Sequence, residues 1–163
     1  MAVQLSLGSN VGVRRENLEA ALAGLGQLPE TILTRRSRIY ETEPYGVTEQ
    51  PGFLNMAAEI ETGLDPLELL DAIKTIEHRL GRQHTERWGP REIDIDIILW
   101  GDLVLETEKL RVPHPDYRRR AFVLVPLAEI APDAVDPITG MTVAQLVAQP
   151  GLQGRIRSLD TGD

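Results

Sequence analysis

Asp94 and Asp96 stand in the run Ile93-Asp94-Ile95-Asp96-Ile97. On a strand, alternate side chains share a face. The three isoleucines would then point into a core and the two carboxylates away from it, about 7 Å apart along the backbone. Two parallel carboxylates form a hard-oxygen site suited to magnesium, which usually takes one or two of them and completes its shell with water and phosphate. An Asp-x-Asp pattern is also common on the polar face of an ordinary strand, so its neighbours decide the reading. Paired carboxylates repel unless a cation sits between them.

The chain entering that strand is Glu86-Arg87-Trp88-Gly89-Pro90-Arg91. Arginine presents a planar fork that matches phosphate oxygens two at a time. Tryptophan offers a flat face for a planar heterocycle, or a cap that excludes water. A second cationic group, Arg118-Arg119-Arg120, follows His114, which is held between Pro113 and Pro115. Phe53 and Asn55 are two apart, with Leu54, Met56, Ala58 and Ile60 as the alternate, core-facing set. A ring to stack on and an amide that both donates and accepts suit a nitrogen heterocycle. There is no P-loop sequence and no G-x-G-x-x-G. Gly8-Ser9-Asn10 is too short to serve as a phosphate loop and reads as a turn.

These residues need elements to hold them. Residues 3–7 read as a strand. Leu18, Ala21, Leu22 and Leu25 fall at helical spacing and Gly26 ends that helix. Residues 31–42 read as one strand, 43–52 as a loop rich in Pro and Gly, and 53–61 as another strand. Asp65 caps a helix with Pro66 at its first position and Glu68 three residues after the cap. Its apolar stripe is Leu69, Leu70, Ile73, Ile76 and Leu80, and Gly81 stops it. Residues 82–92 form a polar loop, 93–100 a strand and 103–105 a short return strand. Residues 121–130 read as a short helix despite Pro126, and 142–149 as another. The tail from Pro150 is expected to be loose. The order strand–helix–strand–strand–helix–strand predicts an α+β ferredoxin-like sandwich (βαββαβ) with a C-terminal helical extension, in one domain over 1–163. The sheet face away from the first two helices is then covered by the extension, used for a ligand, or both.

The 163 residues carry 42% apolar and 26% charged side chains, enough for one core without staples. Absence of cysteine excludes disulfides, thiolate metal sites and a cysteine nucleophile. No apolar run approaches the ~18 residues of a membrane span. The N-terminus has no basic flank or cleavage-like site, so the expected compartment is the cytoplasm. Net charge is −8, which disfavours a nucleic-acid partner. Nine of the seventeen basic residues nevertheless fall between Arg79 and Arg120. A local concentration of arginine in an acidic chain suits a small polyanion. On composition and spacing, the reading is magnesium, phosphate and a flat heterocycle.

Several segments together carry a more specific resemblance. They are Leu7-Gly8-Ser9-Asn10, Tyr40-Glu41-Thr42-Glu43-Pro44, Gln50-Pro51-Gly52-Phe53-Leu54-Asn55, Arg87-Trp88-Gly89-Pro90-Arg91 with Asp94 and Asp96, and Val112-Pro113-His114-Pro115 with Arg119, Arg120 and Phe122. From about Leu5 to Pro132 the chain resembles the 6-hydroxymethyl-7,8-dihydropterin pyrophosphokinases. The resemblance implies transfer of pyrophosphate from ATP to the pterin hydroxymethyl group, releasing AMP, in folate biosynthesis. It implies that Asp94 and Asp96 hold two magnesium ions. It gives Glu77, Arg82, Arg91, His114 and Arg120 contacts to ATP, with Arg82 and Arg91 acting catalytically beside the two aspartates. Thr42, Pro44, Tyr45, Phe53, Asn55, Trp88 and Phe122 fall in or beside the pterin pocket, the rings of Phe53 and Phe122 sandwiching the pterin. Residues 82–88 match a loop that closes over the substrates. Position 53, often Tyr in the family, is Phe here, and Pro115 stands where some members have Tyr. The expected partners are these small molecules only, with no nucleic acid or membrane, and the chain is expected to act as a monomer. Two rival classes are a magnesium-dependent nucleotidyltransferase, which would release pyrophosphate instead of AMP, and a non-catalytic ferredoxin-like binding module.

Overall fold

The computed structural model describes residues 2–9, 14–42, 53–81, 93–154 and 156–158. Strand β1 (Ala2–Ser9) leads to helix α1 (Arg14–Gly26). Leu18, Ala21, Leu22 and Leu25 are its buried residues, as their spacing predicts. The segment 31–42 is two strands rather than one, β2 (Thr31–Arg36) and β3 (Tyr40–Thr42). The break lets both lie beside the long strand β4 (Phe53–Thr62), β3 along its beginning and β2 along its end.

Helix α2 (Pro66–Arg79) begins with the expected capping box. The Glu68 N–H donates to Asp65 at 2.8 Å and the Asp65 N–H donates to Glu68 at 2.9 Å. Such a cap contributes about 1 kcal/mol. Strand β5 (Asp94–Trp100) follows. The return strand expected at 103–105 does not pair back onto it. Instead β6 (Leu105–Glu106) pairs with β7 (Arg111–Val112) in a separate small sheet. A 3-10 turn (Tyr117–Arg119), helix α3 (Ala121–Ile130), helix α4 (Val143–Val147) and strand β8 (Ile156–Ser158) complete the order. The chain beyond Pro150 was expected to be loose, yet β8 joins the sheet as a neighbour of β3. An edge strand presents unpaired backbone groups, and the tail satisfies those of β3.

The main sheet runs β5-β1-β4-β3-β8, with β2 also on β4, and every pairing is antiparallel. One face carries Val3, Leu5, Leu7, Met56, Ala58, Ile60, Ile93, Ile95 and Ile97 against α1 and α2. The other carries Ala57, Ile98 and Leu99 beneath α3 and α4. A register shift opposite Gln4 and Leu5 leaves Ile98 as an extra residue in β5 and breaks its alternation, so the sequence neighbours Ile98 and Leu99 serve the same cluster. Pro126 lies within α3 as a buried apolar residue. It cannot donate a backbone hydrogen bond, but its ring adds to the packed face. Among the described residues, no helix is long and apolar enough to cross a membrane.

Candidate active site

The second sheet face becomes polar at one end. Across four strands, Tyr40, Asn55, Gly8 and Asp94 are register partners in one row. One step further along, Ala57, Ser6 and Asp96 form the next row. Residues directly opposite each other in an antiparallel sheet point to the same side. Asp94, Asp96 and Asn55 therefore share the face opposite the isoleucine core, as the alternation predicts.

Gly8 keeps this row open. A Cβ there would lie 3.3 Å from Asn55 Oδ1 and 3.8 Å from the Phe53 ring. Gly8 and Ser9 belong to β1, not to a turn. The Asn55 amide nitrogen donates to Thr42 Oγ1, and to the Phe53 carbonyl at 3.3 Å. That fixes the amide and leaves Oδ1, an acceptor, over Gly8. Phe53 is 38% exposed, unusual for a ring on a strand whose next residues are buried. Phe122, at the start of α3, is half-buried and packs on the second cluster.

The acidic strand is held along its outer edge. The Ile95 N–H donates to Glu77 Oε2 at 2.9 Å, and Glu77 is only 2% exposed. Lys74 Nζ lies 3.6 Å from Glu77 Oε1. Glu77 thus fixes the residue between the two aspartates, a role its sequence position does not reveal. The His114 N–H donates to the Ile98 carbonyl at 3.0 Å, which docks the segment after the cis Val112–Pro113 peptide on the same edge. The Asp116 N–H donates to His114 Nδ1 at 3.1 Å. Nδ1 is therefore an acceptor, and a neutral imidazole carries its proton on Nε2.

Burial lifts the Asp96 carboxyl above the usual carboxylate range. His114 opposes that rise, Asp94 adds to it, and Lys74 and Arg120 pull the other way. Burial likewise holds His114 below its ordinary range, with Asp96 opposing and Arg120 adding. Two carboxylates and three basic side chains thus meet electrostatically at Asp96. The donor set fits a divalent cation, since hard oxygens already share a face and one of them is short of compensating charge. Among the described residues, no group of three or more His, Asp or Glu side chains is placed to hold a metal. Asp94 and Asp96 would supply the protein's share, with water and phosphate completing the shell.

The arginine triplet divides its labour. Arg118 donates to Asp136 at 2.6 Å through Nε, and Tyr117 donates its hydroxyl to the same carboxylate at 2.5 Å. Asp136 also accepts the Ile138 N–H at 2.8 Å and the Thr139 N–H at 3.2 Å. Burial opposes the charge on Asp136, but these donors outweigh it and hold its carboxyl below the usual range. Arg118 is thereby a structural residue. Arg120 stands over the Phe122 ring at 5.7 Å and 3.9 Å from Asp116. Pro115, Asp116, Arg118, Arg119, Arg120 and Gln153 line a polar cavity of about 400 Å³. Sequence reasoning missed Tyr117 and Asp136. The turn pattern Asp136-Pro137-Ile138-Thr139-Gly140 was the available signal, since Asp commonly accepts backbone N–H groups two and three residues on.

The structure therefore gathers Asp94, Asp96, Glu77, His114 and Arg120 at one end of the sheet, and Thr42, Asn55, Phe53 and Phe122 beside them. Pro44, Tyr45, Arg82, Trp88 and Arg91, with the loops 43–52 and 82–92, lie outside the described residues.

Comparison with known proteins gives a consistent result. Residues 4–132 match the family described as 7,8-dihydro-6-hydroxymethylpterin-pyrophosphokinase. A 2-amino-4-hydroxy-6-hydroxymethyldihydropteridine pyrophosphokinase of Pseudomonas aeruginosa is 44% identical over 152 residues, covering 93% of each chain. The protein of the same name from Bacillus subtilis is 51% identical over 126 residues, covering 77% of this chain and 75% of its own. Among solved structures, the Plasmodium falciparum HPPK-DHPS wild type with pteroate superposes with a TM-score of 0.71 at 15% identity. The match covers 90% of this chain and 43% of that one, so this chain spans less than half the length of the solved protein. At that identity the likeness shows the mixed α/β fold with its antiparallel sheet.

Proposed function

Because the chain belongs to the 7,8-dihydro-6-hydroxymethylpterin-pyrophosphokinase family and is therefore an ATP-dependent diphosphotransferase, we propose that it transfers the terminal pyrophosphoryl group of ATP to the hydroxymethyl oxygen of 6-hydroxymethyl-7,8-dihydropterin, releasing AMP, in folate biosynthesis. The observation that carries this reading is the shared face of Asp94, Asp96 and Asn55 across the open row at Gly8. On this reading a phosphate-handling site would lie beside a heterocycle-handling one.

Transfer of this kind depends on positioning and charge neutralisation more than on covalent help. Asp94 and Asp96 would hold two magnesium ions, which neutralise phosphate charge and acidify the attacking hydroxyl. His114 Nε2 would donate to a phosphate oxygen, and Arg120 would pair with one. Arg82 and Arg91 would stabilise charge on the transferred group. Glu77 acts through Ile95 on the spacing of the aspartates, besides any contact of its own with ATP. Asn55 Oδ1 accepts from a ring N–H of the pterin, while Phe53 and Phe122 stack on it. Thr42 orients Asn55, with Pro44, Tyr45 and Trp88 completing the pocket. Closure of the loop at 82–88 would exclude water that otherwise hydrolyses ATP.

The neighbour order β5-β1-β4-β2 supports a ferredoxin-like core. The two clusters on opposite faces of one sheet support a single domain over 1–163. We take the enzyme to be a cytoplasmic monomer without nucleic-acid or membrane partners. Phosphorus NMR of a mixture with ATP, magnesium and the reduced pterin tests the reaction. AMP and a pterin diphosphate are the expected products. Free pyrophosphate with an adenylylated pterin would identify a nucleotidyltransferase and overturn the proposal.

A further inference from the structure

We propose that Gln153 and Gly154, with strand β8 (Ile156–Ser158), act as a strap that sets the width of the pterin pocket, an inference that rests on the functional reading above. The pocket draws its walls from distant parts of the sequence, Thr42 at the end of β3 and Phe122 at the start of α3. The strap is bonded to both. On one side, the Gln153 N–H donates to the Arg119 carbonyl at 2.6 Å and the Ala121 N–H donates to the Gln153 carbonyl at 2.9 Å. These bonds make Gln153 a parallel bridge partner of Arg120, two residues before Phe122. On the other side, β8 pairs with β3, Ile156 opposite Thr42 and Ser158 opposite Tyr40.

Gly154 is the pivot between these two attachments. Its φ of 91° is a conformation that side-chain-bearing residues rarely adopt. A Cβ there would meet the Phe122 ring at 3.7 Å and Thr42 Cγ2 at 4.0 Å. The glycine thus lies between the two walls, with backbone hydrogen bonds on either side fixing their separation. Thr42 passes the restraint inward, because its hydroxyl accepts from the Asn55 amide. The strap lies beyond residues 4–132, the part of the chain matched to the family. It touches the pocket through its backbone, so it positions Thr42 and Phe122 and is not itself catalytic.

Gln153→Pro tests this, since it deletes the N–H that donates to the Arg119 carbonyl. Small displacements of positioning groups can cost ~10²-fold, and here KM for the pterin should rise at least about tenfold and by more than KM for ATP, which Arg120 beside the lost bond also shifts. Gln153→Ala keeps both backbone groups and should leave the ratio of the two KM values within about twofold of the parent's. If Gln153→Pro fails to fold, Gly154→Val is the second variant, with the same expected split. A strap that merely stabilised the fold would lower the melting temperature and leave the ratio of the two KM values unmoved, and that result overturns the inference. So does an unchanged pterin KM in the folded variants when the parent turns over normally. A parent that forms no pterin diphosphate at all would instead overturn the functional reading, and the strap with it.

Discussion

Asp136 is fully buried and Asp96 stands exposed on the face of β5, and their surroundings act on the two carboxyls in opposite directions. Asp136 receives Tyr117, Arg118 and two backbone N–H groups, and these hold it ionised. Asp96 is lifted toward its neutral form by burial and by Asp94, despite His114, Lys74 and Arg120 nearby. The first carboxylate is satisfied within the protein and locks the turn that carries Arg119 and Arg120. The second is under-compensated, and a cation can supply what the protein withholds. A site that binds a polyanion through metal has to store this imbalance, whereas a structural node resolves it.

Substitutions should separate the two carboxylates. The largest effect is expected from Asp96→Ala, with turnover falling at least about 10³-fold because charge neutralisation in the transition state is lost. The fold should persist, since Asp96 belongs to neither apolar cluster, and circular dichroism checks that alongside the product assay. Asp136→Ala should do the reverse in kind. It strips the partner from buried Tyr117 and from Arg118, a loss of about 3–5 kcal/mol, read as a lower melting temperature and denaturant midpoint. Phe122→Ala should weaken pterin binding by about tenfold or more, from the ~1–3 kcal/mol of a stacking contact, while ATP affinity stays within about twofold. Calorimetry with each ligand separates the two.

Acid should sharpen the contrast. The folded carboxyl of Asp136 titrates below its unfolded value of about 4. Its stabilisation is therefore fully present above that pH and is lost as pH falls through the lower, folded value. Asp136→Asn should remove that part of the acid dependence, as pH-dependent melting would register. Asp96 has the opposite sign. Its ionised form is disfavoured in the folded state, so Asp96→Asn should not lower the melting temperature of the metal-free protein, and solvent at this exposed position keeps any gain small.

Much of this arrangement is written in local sequence. The alternation Ile93-Asp94-Ile95-Asp96-Ile97 places both carboxylates correctly because a period of two admits only one choice of faces. Asp65 and Glu68 announce α2 through complementary caps. What was not legible depends on partners distant in the chain. The break that divides 31–42 follows from how β4 shares its length between two neighbours. Glu77 lies on a helix like any polar residue until Ile95 is brought to it. The bonds from Gln153 to Arg119 and Ala121 are backbone bonds, to which side-chain identity is no guide. Asp136 reads as a turn residue, and only folding delivers Tyr117 and Arg118 to it.

The central claim is that Asp94 and Asp96 bind ATP through a divalent cation. Calorimetric titration of a non-hydrolysable ATP analogue, with and without magnesium, tests it most directly. The parent should bind at least about tenfold more tightly when magnesium is present, a gain of about 1.4 kcal/mol, and the Asp94→Ala/Asp96→Ala double variant should show no such gain. A variant that keeps the full magnesium dependence would contradict the account.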